Sequence, residues 1–156
     1  MIKNDFYTFN EYMKKENSKL TASMEDYLEM IYRLSLKKGY LRINELSNAL
    51  NVQPPSATKM VQKLSESKLV KYEKYGIIIL EESGKKLGEA LLSRHHIIEN
   101  FLRILDIPDS EILDETEKME HTISNETTRC FQDFVDFIKM NPSIVTEFKS
   151  YRDSLK

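Results

Sequence analysis

Cysteine is almost absent from this sequence, with Cys130 alone in 156 residues. That excludes an internal disulfide and a thiolate zinc cluster within one chain, and it suits a reducing compartment. Glycine and proline are scarce, four of each, and tryptophan is missing. Long stretches therefore run without residues that break helices, which points to a mainly α fold. No run approaches the ~20 apolar residues needed to span a bilayer. The opening MIKNDFYTFNEYMKKENSKL interrupts its apolar positions with charges and holds no signal-peptide core. The expectation is a soluble, cytoplasmic protein with no membrane partner. Positive charge is not in excess either, since 23 Lys and Arg against 25 Asp and Glu give a formal net charge of -2. A uniformly basic nucleic-acid coat is excluded, so any DNA contact must come from a local patch.

What is present is ordinary for a globular chain, 40% hydrophobic and 31% charged, enough for one compact unit or two small ones. Phe6, Phe9 and Met13 behind Asp5 suggest a short amphipathic helix, followed by a polar linker over 14–19. Ser23 is positioned to cap a helix over 23–37 whose apolar stripe is Met24, Tyr27, Leu28, Ile31 and Leu34. Asp26, three residues on, fits a capping box at the positive end of that helix. Gly39 closes it. A short helical pattern over 43–50 follows, then the break Asn51-Val52-Gln53-Pro54 and a second helix that tolerates Pro54 and Pro55 in its first turn. Two short helices around a tight turn match a helix-turn-helix. Beyond them Leu69-Val70-Lys71-Tyr72 and Ile77-Ile78-Ile79-Leu80 flank Glu73-Lys74-Tyr75-Gly76, the signature of a β-hairpin. Three helices and a hairpin in this order form a winged helix.

A basic patch falls on the same elements. Lys59, Lys63, Lys68, Lys71 and Lys74 are opposed there only by Glu66 and Glu73. If Ser56, Ala57, Thr58, Lys59 and Gln62 are exposed, the second helix can enter a major groove, with Ala57 against a thymine methyl. The candidate DNA-binding residues are Pro55, Ser56, Ala57, Thr58, Lys59, Gln62, Lys63 and, on the wing, Lys74. A merely solvated lysine-rich surface is the alternative, and the coincidence with the winged-helix order favours DNA.

From residue 81 a long helical stripe carries Leu87, Leu91, His95, Ile98, Leu102 and Leu105, ending before Pro108. His95 lies among apolar positions, as a hydrogen-bonded core histidine would, and His96 points about 100° away. Asp109 or Ser110 opens a helix bearing Glu117-Lys118-Met119-Glu120-His121, whose three ligand-type residues fall at i, i+3 and i+4 on one helical face. Two carboxylates and an imidazole so placed conflict unless a cation sits between them. A solvated acidic face is the competing reading. The next helix, over 125–140, presents Phe131, Phe134, Val135 and Ile138, and a last one follows Asn141-Pro142-Ser143 through Phe148 and Tyr151. These helices carry more apolar surface than one small domain covers, which suggests a homodimer. Cys130 on the aromatic-rich helix reads as a packed core residue.

Several segments together, Ser23-Met24-Glu25-Asp26-Tyr27-Leu28-Glu29, Pro55-Ser56-Ala57-Thr58-Lys59-Met60-Val61-Gln62-Lys63-Leu64, Tyr72-Glu73-Lys74-Tyr75, Arg94-His95, Glu99-Asn100-Phe101-Leu102-Arg103 and the 117–121 run, resemble the diphtheria-toxin-repressor family. The likeness is greatest to its manganese transport regulators and spans roughly 21–140 in collinear order. The resemblance implies a binuclear metal site at Asp26, Glu29, His95, Glu117, Glu120 and His121. It also implies two Mn²⁺ per subunit, with Fe²⁺, Zn²⁺, Cd²⁺ or Co²⁺ able to substitute, and a homodimer on a two-fold symmetric double-stranded operator. The corresponding division is an arm at 1–20, a winged-helix DNA-binding domain at 21–84, and an all-helical metal-binding and dimerisation domain at 85–156 with a linker helix at 85–105. Iron-responsive relatives tend to carry a methionine where this chain has Asp26, so the hard oxygen donor here points toward manganese. The amino-terminal arm and the lack of an SH3-like third domain are departures.

The implied function is a manganese-responsive, DNA-binding repressor of manganese-uptake genes, and not an enzyme. A di-metal carboxylate enzyme such as a ferroxidase is the competing class, though such bundles carry paired Glu-x-x-His motifs and only one related run occurs here. An iron-, oxidant- or small-molecule-responsive winged-helix regulator is the other.

Overall fold

The computed structural model describes residues 20–156, so the expected helix around Phe6, Phe9 and Met13 lies outside the described residues. Two compact units are present, one ending at Gly88 and one beginning at Glu89. Each has its own apolar interior.

Among the described residues the first helix of the first unit is α1 (Ala22–Ser35). Its cap is Thr21 and not Ser23: Thr21 has the extended backbone a cap needs, and its hydroxyl accepts from Met24 N at 3.2 Å. Ser23 is already inside the helix, so Asp26 falls too late to serve a capping box. Met24, Tyr27, Leu28 and Ile31 form the buried stripe, and Gly39 follows the helix with a positive φ of 77°, its amide on Ser35 O at 2.7 Å.

The helix-turn-helix consists of α2 (Ile43–Ala49) and α3 (Pro54–Glu66). Between them Asn51 takes a left-handed φ of 53°, and Val52 N reaches Ser47 O at 2.9 Å, closing the end of α2. Gln53 begins α3 and both prolines sit in its first turn, where their missing N–H groups leave no helical bond unmade.

The wing is β2 (Val70–Glu73) and β3 (Ile77–Leu80), antiparallel, joined by a single tight turn at Lys74–Gly76. The pattern gave no hint of β1 (Leu41–Arg42), which pairs Leu41 with Ile78 and makes the sheet order β1-β3-β2. Two residues are too few to show an alternation. Leu28, Ile31, Leu46, Ala57, Val61, Leu64 and Ile78 form the fully buried interior of this unit.

The first turns of α4 (Glu82–Ile104) close the unit through two glycines. A Cβ on Gly84 would lie 1.9 Å from the Leu69 carbonyl oxygen, and one on Gly88 would lie 2.6 Å from Tyr32 Cβ. Glu81 N donates to that same carbonyl at 2.9 Å, and Ser83 Oγ donates to Lys68 O at 2.7 Å. The start of α4 therefore lies against the Leu69 backbone just before β2, and against Tyr32 of α1, where any side chain would wedge them apart.

The second unit holds the remainder of α4 with α5 (Asp109–Glu120), α6 (Asn125–Met140) and α7 (Pro142–Ser154). Ile98, Leu102 and Ile112 form its core, with Phe101, Ile107, Met119, Ile123 and Phe131 packed around them. Phe101 stacks on Phe131 at 4.0 Å between ring centroids. Asp106, at φ 61°, ends α4, and Arg152 of α7 donates to Leu105 O at 2.6 Å, tying the last helix to that corner. Phe134, Phe137 and Met140 of α6, Tyr151 of α7 and Leu155, which caps α7, remain exposed. Cys130 is exposed too, contrary to the core placement expected for it. It lies about 200° around α6 from buried Thr128.

Gly84→Ala gives a test of the close approach. Alanine is favoured over glycine in a helix by about 1 kcal/mol, yet the substitution is expected to lower stability by ~1–3 kcal/mol through the clash with Leu69. Thermal denaturation of the two proteins reads the sign directly.

Candidate metal centre and DNA-binding face

In the second unit α4, α5 and the residue capping α5 bring four of the six expected ligands together. Glu120 ends α5 and is 1% exposed; His95 of α4 is 2% exposed. His95 Nδ1 lies 2.8 Å from Glu120 Oε2 and 3.8 Å from Glu117 Oε1. The other oxygen of Glu120, Oε1, lies 3.5 Å from His121 Nε2. One buried carboxylate thus stands between two imidazoles, an oxygen toward each. The short contact is between His95 Nδ1 and Glu120 Oε2, both buried.

Glu117, Glu120 and His121 each offer a ligand atom within 4.8 Å of the others. His121 is not part of the helix, as the even i, i+3, i+4 spacing supposed: α5 stops at Glu120 and His121 is its C-cap. The donors are carboxylate oxygens and imidazole nitrogens, without a thiolate or thioether, a set that suits hard divalent cations.

Asp26 and Glu29 stand one turn apart on α1 in the first unit, Asp26 half-buried and Glu29 buried. Arg33 donates to Glu29 one turn further along. His96 is exposed, as its angular offset implied. The sequence reading did not single out Glu99 as a site residue; its Oε1 is 3.6 Å from His95 Nε2 and its Oε2 is 3.4 Å from His96 Nδ1. Its i+4 spacing from His95 on one helix was the available signal.

On α3 the outward residues are Pro55, Ser56, Lys59, Gln62 and Lys63, with Thr58 half-buried. Lys74 is exposed on the wing turn. Ala57 is a correction: it is 0% exposed, with Val61 and Leu64 on the inward face of α3, and cannot meet a base. The i, i+4, i+7 spacing of those three residues is that of a core stripe.

The family profile described as iron dependent repressor, N-terminal DNA binding domain, matches residues 19–78. The profile of its metal binding and dimerisation domain matches residues 81–148. The HTH-type transcriptional regulator MntR of Oceanobacillus iheyensis is 43% identical over 129 residues, covering 83% of this chain and 88% of that protein. The chain belongs to the iron-dependent repressor family.

As a member of this family the chain is a DNA-binding transcriptional regulator with a metal-binding and dimerisation domain. The manganese regulator SloR superposes with a TM-score of 0.66 at 31% identity, over 76% of this chain and 55% of that one. ScaR with bound Zn²⁺ superposes with a TM-score of 0.62 at 31% identity, over 73% of this chain and 54% of that one. The chain thus spans about half the length of these solved relatives. The relatives are regulators of transcription, in line with a non-enzymatic reading and not with the ferroxidase one. Among the described residues no helix is long and apolar enough to cross a membrane.

Ala57→Leu is expected to lower stability by ~1–3 kcal/mol through overpacking, whereas a groove-facing residue would leave the melting temperature unchanged. For the metal centre, a ligand at a hundred times its Kd stabilises the folded state by about 2.7 kcal/mol. Mn²⁺ should therefore raise the melting temperature of the wild-type protein, and Glu120→Gln should remove most of that rise, as calorimetry with and without MnCl₂ would record.

Proposed function

We propose that this protein is a manganese-responsive repressor of manganese-uptake genes, acting as a homodimer on a two-fold symmetric DNA operator. The observation that carries the reading is the buried Glu120 carboxylate between His95 and His121 in a donor set of oxygen and nitrogen alone. Asp26, Glu29, His95, Glu117, Glu120 and His121 are the residues that would hold two Mn²⁺ per subunit, with Fe²⁺, Zn²⁺, Cd²⁺ or Co²⁺ able to occupy the same donors.

Four carboxylates and two neutral imidazoles balance two divalent cations in charge. The bound ions supply positive charge at a point where carboxylates otherwise repel one another. Mn²⁺ binds weakly in the Irving–Williams order, so its selection rests on hard donors and geometry and not on raw affinity. SloR, named as a manganese regulator, supports this choice of metal.

In this proposal the ligands would come from α1 of the winged helix and from the helices of the metal-binding domain. Holding them together restricts the winged helix of each subunit. In a dimer two recognition helices must be about 34 Å apart to enter successive major grooves. A restriction that favours this spacing raises DNA affinity without adding a base contact, a coupling typically of about 1–3 kcal/mol. On the DNA side Pro55, Ser56, Thr58, Lys59, Gln62, Lys63 and Lys74 are the proposed contacts. The domains are assigned as an arm at 1–20, a winged helix at 21–84 and a metal-binding and dimerisation domain at 85–156.

The test uses chelator-stripped protein and a duplex selected by the wild-type protein from a randomised pool in Mn²⁺. Binding should appear with Mn²⁺ and vanish with EDTA, and Asp26→Met should shift the response toward Fe²⁺. Duplex binding that is indifferent to metal, or an Asp26→Met protein with an unaltered metal preference, would contradict the assignment.

A further inference from the structure

The tip of the wing carries a feature that folding does not explain. Tyr75 is 94% exposed, and its backbone is in the left-handed region at φ 64°, ψ 24°. Outside glycine, asparagine and aspartate that conformation costs roughly 1–2 kcal/mol. A large side chain held there is normally compensated by packing, and a ring so fully in solvent has almost none.

The turn itself is braced. A Cβ on Gly76 would lie 2.9 Å from Ile43 Cγ2, so the closing residue of the turn sits against the first residue of α2 while the Tyr75 ring projects into solvent. Lys74 precedes it, exposed, and Lys71 lies on the adjoining strand. Backbone strain at an almost fully exposed aromatic, flanked in the chain by Lys74 with Glu73 and Lys71 on the adjoining strand, is a mark of a binding residue.

We propose that Tyr75 is a DNA-contacting residue. Its ring packs against the deoxyribose wall of the duplex flanking the groove that receives α3, and its hydroxyl reaches a phosphate, a contact tyrosine side chains commonly make. This rests on the reading of the first unit as the DNA-binding domain and adds to it a residue that is uncharged and outside α3. A tyrosine contact differs from a lysine contact in one measurable respect: it releases no counterion. Loss of the ring should weaken binding without changing the salt dependence, whereas loss of one phosphate-bound lysine reduces the slope of log K against log salt by about 0.9.

The experiment measures binding of Mn²⁺-loaded full-length protein to the duplex selected above, by fluorescence anisotropy across a salt series, with hydroxyl-radical footprints of the same complexes. Tyr75→Ala should weaken binding about tenfold with an unchanged salt slope, and protection of the flanking sugars should fade. Tyr75→Gly should bind equally poorly yet melt at a higher temperature, because it relieves the strain; that combination separates a binding role from a folding one. Lys59→Ala serves as the reference for α3. If it weakens binding while Tyr75→Ala and Tyr75→Gly bind and footprint as wild type, the proposal for Tyr75 is overturned and the DNA reading stands. If the wild-type protein selects no duplex, both are overturned together.

Discussion

Burying a carboxylate is the constraint on which the second unit turns. An ion withdrawn from water loses several kcal/mol of hydration unless partners replace it, and Glu120 at the end of α5 is as buried as the core leucines. Its two oxygens face His95 and His121, so its place is set jointly by α4 and by the residue that caps α5. Such an arrangement is poor economy for a structural core, where an apolar side chain would pack as well without the desolvation. It is well suited to a site where positive charge arrives from outside. The apolar cluster of Ile98, Leu102 and Ile112 joins the same two helices.

The first unit solves a different problem. A small winged helix must present polar residues on α3 while the opposite face of the same short helix closes the core, and Ala57, Val61 and Leu64 do the latter. Gly84 and Gly88 then let the start of α4 lie against the Leu69 backbone and Tyr32, closer than any side chain would allow. What remains facing solvent on α3 and the wing is lysine, hydroxyl and amide, the groups that meet phosphates and base edges. A net negative chain can therefore bind DNA by position alone.

The helices were legible because their apolar residues recur at helical spacing over many turns and their ends carry prolines, Gly39 and Asn51. The family was legible because several motifs occur in collinear order. Short and local features were not. β1 is two residues long and has no period to detect. Thr21 and Ser23 are equally good caps on composition, and only the backbone angle at Thr21 distinguishes them. Ala57 looked like a contact for a thymine methyl because alanine is small enough to suit either face of a helix. Cys130 looked buried because its helix is aromatic, yet it lies on the exposed side. Glu99 was not singled out as a site residue because one acid among 25 Asp and Glu carries little weight until a histidine is seen beside it. His95, Glu117, Glu120 and His121 are far apart or merely adjacent in the chain, and it is the packing of α4 against α5 that makes a cluster of them.

Diffraction from crystals grown with MnCl₂, with anomalous data collected at the manganese edge, tests the central claim most directly. The account expects manganese peaks coordinated by Glu120 together with His95 and His121. Manganese bound elsewhere, with Glu120 still lodged between two unligated imidazoles, would contradict it.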